Sequence, residues 1–218
     1  MIPISDSIKS KRFPFINILI IATTVFVFFQ QITTPSPDAF IRAYALIPAL
    51  VDFANTNTLF PFVTSMFLHG GFLHIISNLL FLWVFGDNVE GHLGYFFFPF
   101  LYLASGIAGG LAQYIFTPSS TVPMLGASGA IAGVLGSYFV LFPLSKIKTI
   151  VPFFGFVSVI QIPASFMLGY WFLLQVISGT VSVPLLADST GGVAFFAHIG
   201  GFVTGYILTR ALRPILKI

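Results

Sequence analysis

Apolar runs of membrane-crossing length recur along this chain, and only short polar or basic flanks interrupt them. A bilayer hydrocarbon core about 30 Å thick takes roughly 20 apolar residues in a helix. Runs that approach this requirement fall near 14–31, 71–86, 95–116, 126–143, 157–177 and 193–212. Their glycines and prolines are tolerated in a membrane, because neighbouring helices re-satisfy the backbone. Charge closes off the soluble alternative: 7% of the residues are charged, against about a quarter in a water-exposed domain. Mean hydropathy is +1.01, and 28 phenylalanines would be costly on an aqueous surface. The expected fold class is therefore all-α: a polytopic membrane protein whose six helices form one domain.

Six spans place both ends of the chain on one side. Lys9, Lys11 and Arg12 precede the first run, Lys146 and Lys148 follow the fourth, and Arg210, Arg213 and Lys217 close the sixth. Eight of the nine bases then share a face, with Arg42 on the other. The positive-inside rule makes that face cytoplasmic. This predicts a cytoplasmic tail over 1–13, a membrane domain over 14–212 and a second cytoplasmic tail over 213–218, in an inner or plasma membrane. The first run exceeds the roughly 7–15 residues of a signal-peptide core and lacks a small-residue cleavage pattern, so it is read as a mature helix. The net charge of +3 reflects topology and not a nucleic-acid-binding stripe. With no cysteine, disulfide and thiolate chemistry are excluded. The connection over 32–70 is too apolar for disorder and is expected to lie partly in the outer interface.

Polar side chains inside a span are costly and by default mark function. Four stand out: His74 and Asn78 in the second span, Ser128 in the fourth and His198 in the sixth. Counted from the outer ends of their helices at 1.5 Å per residue, His74, Ser128 and His198 fall within roughly 5 Å in depth. Singly, each has an ordinary explanation: Ser128 as a packing residue, His198 as a relay or carbonyl-bonded histidine, Asn78 as interhelical glue. His69 reads as interfacial, and His92, with Asp87 and Glu90, as a solvated cytoplasmic face.

The combination is what carries chemistry. A serine hydroxyl becomes a nucleophile when a base takes its proton, and His198 is the candidate base. Ser128, Ala132 and Gly136 share a helix face, and Gly201 and Gly205 form a small-xxx-small pair beside His198. Such faces let two backbones come close enough for a serine–imidazole hydrogen bond. Ser128 also opens a helix, where unpaired N–H groups favour an oxyanion, and His74 and Asn78, at i and i+4, add side-chain donors. No Asp or Glu lies in a span at this depth, so a Ser-His dyad is expected.

Three stretches resemble the motifs of the rhomboid intramembrane serine proteases. Gly126-Ala127-Ser128-Gly129 is similar to the family's GxSG nucleophile motif. Ala197-His198-Ile199-Gly200-Gly201, continuing to Gly205, is similar to its AHxxGxxxG motif, and the stretch from Met66 through His69 and His74 to Asn78 to its second-helix motif. The resemblance covers about 10–210 and implies a six-transmembrane-helix rhomboid-like bundle with a long interfacial first outer loop. It implies Ser128 and His198 as catalytic, His74, Asn78 and the Ser128 amide as oxyanion donors, and Gly126, Gly129, Gly201 and Gly205 as structural support. The implied reaction is hydrolysis of peptide bonds in or near the transmembrane segments of single-pass membrane proteins. Substrate would enter sideways, past the fifth span and a mobile loop over 178–192 that contains Gly191 and Gly192. No cofactor, metal or nucleic acid is implied; the lipid bilayer and the substrate are the partners.

Two positions depart from relatives. Leu59-Phe60-Pro61-Phe62 stands where many have a Trp-Arg pair anchoring the first outer loop. Ala132 stands where some bacterial members stack a tyrosine on the histidine, so His198 must be oriented by other contacts. Among rival chemistries, the GxSxG elbow and HExxH are absent, and Asp87 is a single acid at a span end. The alternative from another class is a proteolytically inactive rhomboid-like protein that binds or escorts membrane clients. Such proteins typically lose the serine or histidine that this chain retains.

Overall fold

The computed structural model describes residues 1–153, 156–182 and 193–216. Seven α-helices and three strands occur among them. In chain order they are β1 (Ile2–Asp6), α1 (Phe15–Thr33), α2 (Pro37–Tyr44), α3 (Pro61–Thr64), α4 (Phe72–Phe116), α5 (Ser128–Leu141), β2 (Lys146–Phe153), β3 (Phe156–Pro163), α6 (Ala164–Ser182) and α7 (Phe195–Leu216). Short 3-10 turns punctuate the segment between α2 and α4. Asp188, Gly191, Gly192 and Lys217 lie outside the described residues.

Among the described residues, three helices are long and apolar enough to cross a membrane: α1, α4 and the stretch Ala164–Val181 of α6. The second and third expected spans emerge as the two arms of α4, which breaks at Gly94 with φ 78° and ψ 174°. A residue with a Cβ is strained at that positive φ, so glycine sets the corner. α5 is a shorter apolar helix whose 14 residues span about 21 Å. It is buried along nearly its whole length.

α7 lies against both α5 and the second arm of α4. Its glycines explain the closeness. A methyl group at Gly201 would overlap the Gly129 carbonyl, and one at Gly205 would overlap that of Gly133. In return Gly136 faces the Phe202 carbonyl, and Gly109 of α4 faces that of Ala197. In lipid, where water drives no helix together, this small-residue packing supplies the attraction. The core around it includes Leu82, Phe85, Leu101, Tyr102, Leu135 and Tyr138.

The all-α expectation needs correction. β1, β2 and β3 form an antiparallel sheet in that order, with Ile2 opposite Ile150 and Ile147 opposite Ile162. Lys146 to Thr149 alternates exposed and buried residues, the period of a strand, and Phe156–Pro163 is rich in the β-branched residues that suit one. The fifth span expected over 157–177 is therefore a strand to Pro163 followed by a helix from Ala164 to Ser182. The tail expected over 1–13 contains β1, and the tail expected from 213 is helical as far as Leu216.

The solvated face expected around Glu90 is also corrected. Glu90 has no exposed surface, and its two carboxylate oxygens accept the backbone N–H groups of Ile16 (2.9 Å) and Asn17 (2.7 Å). It thus caps the start of α1, where a helix leaves N–H groups unpaired and favours negative charge. Nearby, Tyr138 of α5 donates to Asp6 Oδ2 at 2.5 Å and Asn88 Nδ2 donates to the same atom at 2.8 Å. β1 is thereby tied to two helices as well as to the sheet.

At the other end, the connection between α1 and α4 is held without a Trp-Arg pair. Leu46 exchanges backbone hydrogen bonds with Met124, at 3.0 and 2.7 Å. Phe62, from the departing Leu59–Phe62 stretch, is buried against the notch left by Gly110. Gln31 completes the anchorage by bonding both the N–H and the C=O of the buried His69.

Candidate active site

Ser128 is the first residue of α5, and the chain reaches it through Gly126 at φ 121°. That positive φ again requires glycine. A Cβ there would lie 2.8 Å from Cε1 and Nε2 of His74, so the residue is also small because an imidazole fills its space. The turn is fixed by the Gly126 N–H donating to Ser65 C=O at 2.9 Å. The i→i−4 ladder of α5 begins with Ile131 donating to Ala127, which leaves the preceding amides facing outward from the helix start.

His198 lies in the first turn of α7 and is 8% exposed. Its Nε2 is 2.7 Å from Ser128 Oγ. That is within proton-transfer distance, and it follows from the glycine contacts that bring α5 and α7 together. On the other side of the ring, Nδ1 is 2.7 Å from Oε1 of Gln175 on α6. Trp171, one turn earlier on α6, covers the ring at a centroid distance of 5.7 Å and an interplanar angle of 34°. No side chain at the Ala132 position is therefore needed to face the imidazole.

His74 and Asn78 approach from the first arm of α4. The Gly70 N–H donates to His74 Nδ1 at 3.2 Å, so the ring proton resides on Nε2, which faces Gly126. Asn78 is buried, and its Nδ2 donates to the His74 C=O at 3.0 Å. One hydrogen remains on that amide. An open cleft of about 790 Å³ is lined by His74, Asn78, Ser128 and His198, with Gly70 and Ser77 at its polar wall. Ser128 is thus reached from outside the protein, although the residues beneath it are apolar.

The structure brings all four polar residues to this one cleft, with Gly126 and Gly129 at the serine and Gly201 and Gly205 along the α5–α7 contact. His69 lies behind them, its ring edge-on to His74 at 5.1 Å and fully buried. Among the described residues, no group of three metal-ligating side chains forms. Sequence reasoning missed Gln175 and Trp171. It also counted only four strongly polar residues in the spans, whereas Asn17, Gln31, Gln113 and Gln175 lie in the helices too. The signal was available: an amide four residues after a tryptophan puts both on one face of an otherwise apolar helix.

A family model described as Rhomboid domain matches residues 56–215. Over 149 residues, 67% of this chain, the sequence is 33% identical to RHOMBOID-like protein 4 of Arabidopsis thaliana, covering 33% of that protein. It is 34% identical over 150 residues to Rhomboid protease GluP of Bacillus subtilis (strain 168), with 69% of this chain and 25% of the relative covered. Rhomboid protein 1, mitochondrial, of Saccharomyces cerevisiae is 32% identical over 174 residues, 77% of this chain and 45% of its own. The chain spans less than half the length of each of these relatives.

Proposed function

The chain belongs to the rhomboid family, and from that premise we propose that it is an intramembrane serine endopeptidase acting through a Ser128–His198 dyad. The observation that carries this reading is the 2.7 Å contact between Ser128 Oγ and His198 Nε2 in an open cleft. A serine that only packed would not need an imidazole nitrogen at that distance.

In the first step, Ser128 Oγ attacks the scissile carbonyl carbon while its proton passes to His198 Nε2. The carbonyl oxygen becomes an oxyanion. It is held by the backbone N–H groups at the start of α5, by the Nε2–H of His74 and by the remaining hydrogen of the Asn78 amide. His198 then returns the proton to the departing amine. Water entering by the cleft repeats the sequence against the acyl-enzyme and frees Ser128.

The substrates are single-pass membrane proteins, cut near the outer end of their transmembrane segments, since the cleft lies at the outer ends of three helices in the six-span arrangement. Both ends of the chain face the cytoplasm. This orientation is supported by the sheet, which pairs β1 with β2 and so gathers Lys9, Lys11, Arg12, Lys146 and Lys148 at one end of the bundle. A fluorophosphonate probe applied to detergent-solubilised protein tests the reading. Covalent labelling that disappears in Ser128→Ala is expected. Absence of labelling in the unmodified protein, or labelling that survives the substitution, refutes the hydrolase assignment and favours the client-binding alternative.

A further inference from the structure

His198 is contacted on both ring nitrogens, and the two contacts come from different helices. Nε2 meets Ser128 of α5, and Nδ1 meets the amide oxygen of Gln175 of α6, each at 2.7 Å. A neutral imidazole carries one ring proton, and the bond made at one nitrogen decides what the other can do. A carbonyl-type oxygen only accepts. The proton therefore resides on Nδ1, and Nε2 turns a lone pair toward the Ser128 hydroxyl. The opposite tautomer would set two lone pairs against each other at Gln175 and point an N–H at the atom that must lose a proton.

Within the hydrolase reading, we propose that Gln175 is a positioning residue that selects the base-competent tautomer of His198 by accepting its Nδ1–H. It occupies the place that a carboxylate holds in a serine–histidine–acid triad. No acidic side chain is needed: Gln175 neither gives nor takes a proton, and the Nδ1–H remains donated to it before and after Nε2 is protonated. Trp171, one turn away on the same helix, limits rotation of the ring, so α6 holds the imidazole at two points. The orientation of the base thereby depends on a helix that carries neither the nucleophile nor the base.

The test compares the whole protein with Gln175→Met, which keeps side-chain length but loses the acceptor, and with Gln175→Glu, which retains an acceptor. Fluorophosphonate labelling rates, and kcat and KM on a single-pass substrate, are measured at equal folded content. The Met variant is expected to label about 10- to 100-fold more slowly, with kcat reduced and KM unchanged, and Glu to recover most of the rate. Wild-type rates in the Met variant, or a Glu variant no faster than Met, overturn the proposal. A second measurement needs no change at 175. The chain has four histidines, so nitrogen-15 spectra of histidine-labelled protein, with His198 assigned through His198→Gln, report its tautomer directly. An Nδ1–H form supports the proposal and an Nε2–H form refutes it. If the wild type fails to label at all, the hydrolase reading falls, while the tautomer result still decides the role of Gln175.

Discussion

Along α5, α7 approaches backbone to backbone, with Gly201 and Gly205 seated on the carbonyls of Gly129 and Gly133. Along α6, the same helix meets side chains: Phe172 stacks on Phe202 at 4.6 Å, and Trp171 and Gln175 reach His198. The first contact has no slack, because a glycine carbonyl has no rotamer to change. The second consists of rings and a flexible amide, and much of α6, including Phe166, Tyr170, Leu173 and Ile177, is exposed at the protein surface. The Ser128–His198 contact is thus built on the inflexible interface, and the support of the imidazole on the yielding one. Under the proposed hydrolase reading, holding two atoms at fixed separation and admitting a bulky substrate are tasks kept on different faces of one helix.

Four outcomes sharpen or break this contrast. Replacing His198 by alanine removes chemistry and leaves the glycine contact alone. Substrate cleavage should fall by about 10³-fold or more while the melting temperature stays near that of the unmodified protein; retention of the full rate would refute the base assignment. Gly205→Leu drives a side chain into the Gly133 carbonyl. It should destabilise the bundle by about 1–3 kcal/mol or more in reversible unfolding and abolish labelling of Ser128. Tolerance of leucine there would mean that the α5–α7 interface yields after all.

On the other face, Phe172→Ala removes a ring that stacks on Phe202 but is only half-buried. A loss of about 1 kcal/mol is expected, smaller than for Gly205→Leu measured in the same detergent. A larger loss would reverse the ranking of the two interfaces. The smallest effect concerns the sheet from which α6 departs. Burial raises the Asp6 carboxyl above its ordinary value of 3.8, against hydrogen bonds from Tyr138, the Ile8 amide and Asn88 that lower it. The docked strand then binds a proton more readily than the released one. Docking should tighten as pH falls through the window above 3.8 and be weakest on the alkaline side of it. Since the chain has no cysteine, a nitroxide on Ile2→Cys reports this directly. Greater mobility at the lower pH would contradict the sign.

The parts of the site legible in the sequence were those written as spacing. Ser128, His198, His74 and Asn78 each stand beside glycines or at helical intervals, and apolar runs located α1 and the two arms of α4. Misread elements were those where hydropathy alone is ambiguous. Phe156–Pro163 is as apolar as a membrane helix, and only its β-branched content marks it as a strand. Glu90 looked solvated because its partners, the first amides of α1, lie 73 and 74 residues away in the chain. Spacing puts Gln175 on one face of α6 with Trp171, but that this face meets His198 is a matter of tertiary packing that spacing cannot express.

One strand has a consequence for how the molecule is made. β1 is synthesised before its partners: Asp6 meets Asn88 of α4 82 residues later and Tyr138 of α5 132 residues later, and Ile2 has no strand opposite it until Ile150 has been made. Its pairing in the sheet must wait until α1, α4 and α5 have been made. Pairing of β1 with β2 thus becomes possible just before α6, the helix that follows directly from the sheet, is made.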